Sequence, residues 1–180
     1  MYENNKRVRS TNNNNDYFQP TVDKKFLGRL SKFILSVDSE MDMMLTGLAS
    51  LQFLSYYKII DYVISQKLTK NIIIRLLCPF DEEATWFTKQ LVPFIGYRSI
   101  RQSLPKSSSN SLVLIKDKQD IFSLSLFMQS QSHSHSNQDY NTIYSLDNWS
   151  YSKDISIVRN AVYCFDLIWE KKEHADKTLR

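Results

Sequence analysis

Glycine and proline are scarce, three and four residues in a chain of 180. A protein built wholly of strands joined by many tight turns needs more of both, so that class is excluded. Cysteine is nearly absent as well. Cys78 and Cys164 stand far apart in apolar sequence, and neither has a second Cys or His at zinc-ligand spacing. They read as two buried, reduced thiols of a cytoplasmic protein. The N-terminus is polar and Asn-rich and carries no signal-peptide pattern. No apolar run is long enough to span a bilayer easily, because the longest, residues 43–64, is interrupted by Gln52, Lys58 and Asp61. A soluble, cytoplasmic protein is expected. A strong excess of charge of one sign is also lacking. The net charge is only +4, much of it at the ends in Lys6, Arg7, Arg9, Lys171, Lys172, Lys177 and Arg180. A nucleic-acid binder clusters positive charge on a folded face with aromatics between the charges, and mid-chain no such cluster occurs. No nucleic-acid partner is expected.

What is present is core-forming material. Hydrophobic residues make up 42% of the chain and aromatics 13%, enough for one domain with a single sizeable core. Residues 1–23, with the run Asn12 to Asn15, read as a disordered tail, since they bury too little to offset the entropy of ordering. Apolar content is sustained from Phe26. The early spacing of Phe26, Leu27 and Leu30 is helical, and Lys32 to Asp38 then reads as a short buried strand. Met43, Met44, Leu48, Leu51 and Leu54 suit a helix, and Tyr57, Ile60, Ile64 and Leu68 a second one.

Ile72 to Leu77 is the clearest strand, a β-branched run without alternation, as expected of a strand covered on both faces. Pro79 stops it. Asp81, Glu82 and Glu83 open a helix where the helix dipole favours acidic residues, and that helix ends by Pro93 to Gly96. A strand near Tyr97 to Arg101 and a polar loop, Lys106 to Asn110, follow. Ser111 to Lys116 and Ile121 to Phe127 predict a hairpin turning at Asp117 to Asp120. Gln129 to Gln138 is a low-complexity exposed loop, and Thr142 to Ser145 a last short strand. The closing helix carries Ile155, Val158, Val162, Phe165 and Trp169 as one apolar stripe. This order is α/β, a mixed sheet flanked by helices.

Three constellations invite a chemical reading. His133 and His135 alternate as metal-binding pairs do, but only Ser and Gln surround them, so no metal site is expected. His174 stands in the position of a phosphoacceptor but reads as a surface helix residue. The third is the hairpin Asn110 to Ser125. It resembles the hairpin that carries the active site of the phospholipase D superfamily, whose pattern is His-x-Lys-x-x-x-x-Asp. With Asp117 as the Asp, the His position falls on Asn110 and the Lys position on Leu112. An amide is no phosphoryl nucleophile and a leucine no phosphate clamp, so the resemblance implies the scaffold without the chemistry.

Four stretches extend the likeness: Phe33 to Gly47 (FILSVDSEMDMMLTG), Ile72 to Leu77 (IIIRLL), Ser111 to Gln119 (SLVLIKDKQ) and Ile157 to Lys172 (IVRNAVYCFDLIWEKK). On these the chain resembles the phospholipase D-like sensor domain found ahead of the kinase core in archaeal sensor histidine kinases. Such domains end in a helix with a Phe-x-x-x-Trp pair, here Phe165 and Trp169. The resemblance implies a phospholipase D-like half-unit over residues 24–172 with a long C-terminal helix, followed by a charged extension, 173–180. It implies a non-catalytic signal-input or ligand-binding role in a two-component system, without a cofactor. Any kinase activity would belong to a module outside this chain. The expected partners are a small-molecule or protein signal and, through the last helix, a second copy or a kinase module. A diverged phosphodiesterase or nuclease and the effector domain of a transcriptional regulator are the alternatives.

A ligand cleft in such a sheet is expected at strand ends. That makes Asp38, Ser39 and Glu40, Cys78 and Pro79, and Asn110 and Asp117 the candidate binding residues. Each also has an ordinary role open to it: Asp38 and Ser39 can cap a helix, and Asp117 can serve a turn.

Overall fold

A computed structural model describes residues 22–79, 82–102, 110–130 and 142–171. The expected N-terminal tail up to residue 21, the polar loop Lys106 to Asn110 except Asn110 itself, the low-complexity loop Gln129 to Gln138 from residue 131 with both its histidines, and the charged extension 173–180 lie outside them.

The first helix, α1 (Lys24–Leu35), starts where the Asp23 carboxylate accepts the Lys25 N–H at 3.0 Å. Phe26, Leu30, Phe33 and Ile34 form its buried stripe. Phe33 and Ile34 continue the helical spacing of Phe26 and Leu30, so the strand expected over Lys32 to Asp38 does not form. The first strand is instead β1 (Glu40–Leu45), in a stretch whose methionines suggested helix. Both faces of β1 are buried, which erases the alternation that marks a half-exposed strand.

Two helices follow, α2 (Leu48–Tyr56) and α3 (Ile59–Lys70), separated by Lys58 in the left-handed region. Next come β2 (Ile73–Cys78) and α4 (Glu82–Ile95). Gly96, at a φ of 79°, closes α4 by donating its N–H to the Val92 carbonyl at 2.8 Å, a conformation glycine adopts without strain. Tyr97–Ser99 is a 3-10 turn, so the strand expected from Tyr97 begins only at β3 (Ile100–Gln102). The hairpin forms as expected from β4 (Asn110–Lys116) and β5 (Asp120–Ser130), with Asp117 and Lys118 at positive φ in the turn. The last strand, β6 (Thr142–Ser152), is far longer than the Thr142 to Ser145 stretch expected. The closing helix, α5 (Ile155–Lys171), is capped by the Asp154 carboxylate on the Ser156 and Ile157 N–H groups.

The six strands form one mixed sheet in the order β3-β2-β1-β4-β5-β6. β1, β2 and β3 run parallel, while β4, β5 and β6 add antiparallel. Alternate residues sort the two faces. Met41, Met43, Leu45, Ile74, Leu76, Leu112, Leu114, Phe122 and Leu124 join α1 to α4 in the main core. On the other face Leu77 and Ile115 pack against Phe165 of α5.

Candidate functional site

The seven residues singled out from the sequence lie at the two opposite strand ends of the sheet. β1 is antiparallel to β4, with Met41 opposite Lys116 and Leu45 opposite Leu112. Asp38, Ser39, Glu40 and Asp117 therefore sit at one end, and Cys78, Pro79 and Asn110 at the other, roughly 20 Å away along the strands. They do not line one cleft. The sequence pattern predicts Asp38 to Glu40 at the carboxyl end of a first strand over Lys32 to Asp38, a segment that instead holds the end of α1 and the turn after it. They stand at the amino end of β1.

The first group is bound together tightly. Asp117 accepts the backbone N–H groups of Asp38 (3.1 Å), Ser39 (2.8 Å) and Glu40 (3.0 Å) and the Ser39 hydroxyl (2.8 Å). Burial works to raise its pKa, but these donors outweigh burial and hold it below the ordinary aspartate value. The hairpin turn is thus tied to the entry of β1, and the carboxylate is spent on backbone.

At the other strand end Asn110 accepts the Ala49 N–H at 3.3 Å, a donor of the first turn of α2. Leu112 has no exposed surface. Thr46 and Ser111 share a hydroxyl contact at 2.9 Å, and the Ser111 N–H is donated to Thr46 Oγ1. The positions where the hairpin pattern calls for histidine and lysine are built into the helix cap and the core. Cys78 is buried at this end, whereas Cys164 lies exposed on α5, contrary to the expectation of two buried thiols.

Against known proteins, the sequence matches no family model and no curated protein. Solved structures do match. NucT from Helicobacter pylori aligns at a TM-score of 0.53 and 12% identity, over 83% of this chain and 91% of its own. The archaeal chromatin protein TrmBL2 aligns at a TM-score of 0.51 and 15% identity over 84% of this chain, which spans 51% of TrmBL2. Nuc from Salmonella typhimurium, a phospholipase D family member, aligns at 0.47 and 10% identity, over 82% of this chain and 89% of its own. The likeness to NucT is one of fold, a mixed six-stranded sheet flanked by helices.

Two further features of this sheet are not predicted by the sequence patterns. The first lies beneath α5. Asp42, 1% exposed, takes the Arg75 guanidinium in two bonds of 2.6 Å, and the third arm of Arg75 reaches Asp166 of α5 at 2.7 Å. Burial pushes the Asp42 carboxyl above its ordinary range while Arg75 pulls it back. For Arg75, burial opposes the charge, but its bonds to Asp42 and Asp166 outweigh that and raise its pKa further. Arg75 also faces the ring of Phe165 at 4.8 Å. Arg101 faces the ring of Trp169 at 4.5 Å and donates to the Trp169 carbonyl. The signal was a lone Arg in the apolar run IIIRLL and a lone Asp in EMDMML.

The second feature is a cleft of about 790 Å³ between α1 and the β5–β6 edge. Aromatic side chains of Phe33, Phe122, Trp149 and Tyr151 line it, with Arg29, Lys116 and Lys153 around them. Asp120, 5% exposed, sits within, bonded to Lys116 at 2.7 Å and accepting the Tyr151 hydroxyl at 3.1 Å. Phe33, Phe122, Trp149 and Lys153 lie dispersed through the sequence, so their convergence needs the sheet order. Among the described residues no three potential metal-ligating side chains cluster, and no described helix is long and apolar enough to cross a membrane.

Proposed function

We propose that this chain is a non-catalytic signal-input domain on a phospholipase D-like scaffold, with α5 as its route to a partner. The observation that carries the reading is the use made of the hairpin's two chemical positions. The Asn110 amide oxygen is engaged by α2, and Leu112 is wholly inside the core. Covalent phosphoryl transfer requires a nucleophile and a charge clamp on the phosphate, and these residue types supply neither.

The seat of α5 supports the output half. The helix meets the sheet through few apolar partners and a set of directed contacts from Arg75 and Arg101. Both arginines lie on neighbouring strands, β2 and β3, so a shift of either strand changes how the helix is held. In the fuller form of this reading, α5 feeds a histidine kinase-type module or pairs with a second copy, as the sequence resemblance implies.

Incubation with bis(4-nitrophenyl) phosphate tests the reading, with no release of nitrophenol above buffer as the expected result. Hydrolysis that vanishes in Asp117→Ala would overturn it in favour of a diverged phosphodiesterase. A second reading, the effector part of a DNA-associated regulator, draws on the likeness to TrmBL2, whose description is of an archaeal chromatin protein with a novel mode of DNA binding. That likeness weakens the expectation that nucleic acid is not a partner. Duplex DNA binding that weakens steeply with salt would favour this second reading.

A further inference from the structure

We infer that the cleft between α1 and the β5–β6 edge binds a small aromatic anion that carries a hydrogen-bond donor, of which a nucleoside monophosphate is the simplest representative. The inference rests on the reading of this chain as a ligand-taking input domain and names the class of ligand.

The cleft combines three chemical elements. Its apolar wall is aromatic. Phe122 and Trp149 stack at 5.5 Å with their planes 9° apart, and Phe33 meets Tyr151 edge-on at 6.0 Å. Tyr151 leaves 45% of its surface open, a flat face on which a ring can lie. Its charge is unbalanced, because Arg29, Lys116 and Lys153 surround the single carboxylate of Asp120. Lys116 and Lys153 share that carboxylate at 2.7 and 3.8 Å, and among the described residues no carboxylate pairs with Arg29, which rests over the Trp149 ring at 5.3 Å. An anion entering a cleft with this excess of cations meets a favourable field, strengthened by the apolar wall. The third element is Asp120. Its Oδ2 already takes Lys116 and the Tyr151 hydroxyl, so any bond it makes to a ligand is as an acceptor and favours one that donates an N–H or O–H. A volume of about 790 Å³ accommodates a molecule of this size.

The tie between the cleft and the rest of the domain is short. Lys116 also donates to Ser36 at 3.2 Å, just past the end of α1, and the next residue, Asp117, fastens β1. A ligand that draws Lys116 away from Asp120 therefore pulls on both elements.

Titration calorimetry on the full chain tests the site with AMP, GMP, CMP and UMP. Orthophosphate serves as the charge-only control and the matching nucleosides as ring-only controls. At least one nucleotide is expected to bind about tenfold or more tightly than either control, the gain of joining two partial contacts in one ligand. Arg29→Gln and Lys153→Gln alter exposed side chains and are each expected to weaken binding roughly three- to tenfold. Failure of all four nucleotides to bind at millimolar concentration would overturn the site. So would binding unaffected by both substitutions, or binding seen only with a single-stranded oligonucleotide. Breakdown of a bound nucleotide would sink the non-catalytic reading while leaving the site standing. Absence of both binding and breakdown would remove the site alone.

Discussion

Arg75 and Asp42 are direct cross-strand partners, paired in the parallel register of β2 on β1 and joined by two bonds of 2.6 Å. Both point to the sheet face under α5, where Asp166 completes the set. A charged pair at the centre of a sheet brings a desolvation penalty that its own attraction offsets only when the geometry is good. Here both guanidinium edges are engaged, and the arrangement fixes where the helix lies.

Asp42→Ala is expected to lower stability by about 3–5 kcal/mol, because it leaves Arg75 partly buried with half its partners gone. The double variant Asp42→Leu, Arg75→Met replaces the pair by apolar side chains and is expected to recover at least half of that loss. Urea unfolding of the wild type and both variants checks this. A double variant no more stable than the single one would show that the pair contributes more than the avoidance of an unmatched charge.

The two faces of the sheet explain what could be read from the sequence and what could not. Ile72 to Leu77, the Ser111 to Phe127 hairpin and the Val158, Val162, Phe165 stripe each carry a local pattern, and each is where it was expected. β1 carries none, since both its faces are covered and its methionines and aspartate suit a helix as well. Because β1 starts only at Glu40, Asp38 to Glu40 lie at the strand end opposite Cys78 and Asn110, and the expected cleft does not form. Asp42 joins Arg75 only through the β1–β2 register, and Arg29 approaches Trp149 only through the packing of α1 on β6. Such contacts have no signature in the linear order. The buried stripe on α5 also begins one turn later than the spacing predicts, as Ile155 is 66% exposed.

Asp117→Asn should separate charge from geometry at the hairpin turn. Asparagine tolerates the φ of 50° and keeps one acceptor, so the turn persists while the charge is lost. The wild-type carboxyl is held below the ordinary value of 3.8, so its charge stabilises the fold above that value. This contribution falls away as pH drops through the depressed folded-state pKa. Wild type is expected to exceed the variant by about 1 kcal/mol at neutral pH, the margin of charge-assisted over neutral bonds, and to converge with it in strong acid. Denaturant midpoints across the acid range test the trend. A gap that persists in strong acid would assign the loss to geometry.

Leu112→Lys, which restores the hairpin pattern at that position, is expected to cost more than about 3 kcal/mol. Leu112 is fully enclosed among β1, β4 and β5, and an ammonium there has no counter-charge. Asn110→His lies at the partly exposed strand start and should cost about 1 kcal/mol, the worth of a lost helix cap. Thermal melting of the two variants compares them. Equal melting temperatures would mean that the core at Leu112 opens to water.

Trp169→Ala tests the closing helix itself. The indole stacks on Phe165 at 5.8 Å and lies against the guanidinium groups of Arg75 and Arg101 at 5.6 and 4.5 Å. Its removal deletes a partly buried ring and two cation–π contacts, and it leaves both arginines facing a void. The expected loss is about 2–3 kcal/mol, below the range for a wholly buried tryptophan because part of this one meets solvent. Hydrogen exchange should rise along α5 more than along β1 or β4, since the helix is held at this point and the sheet is not. A variant that melts like the wild type, with α5 still protected, would show the helix to be seated without Trp169. The route proposed for the signal would then bypass Trp169.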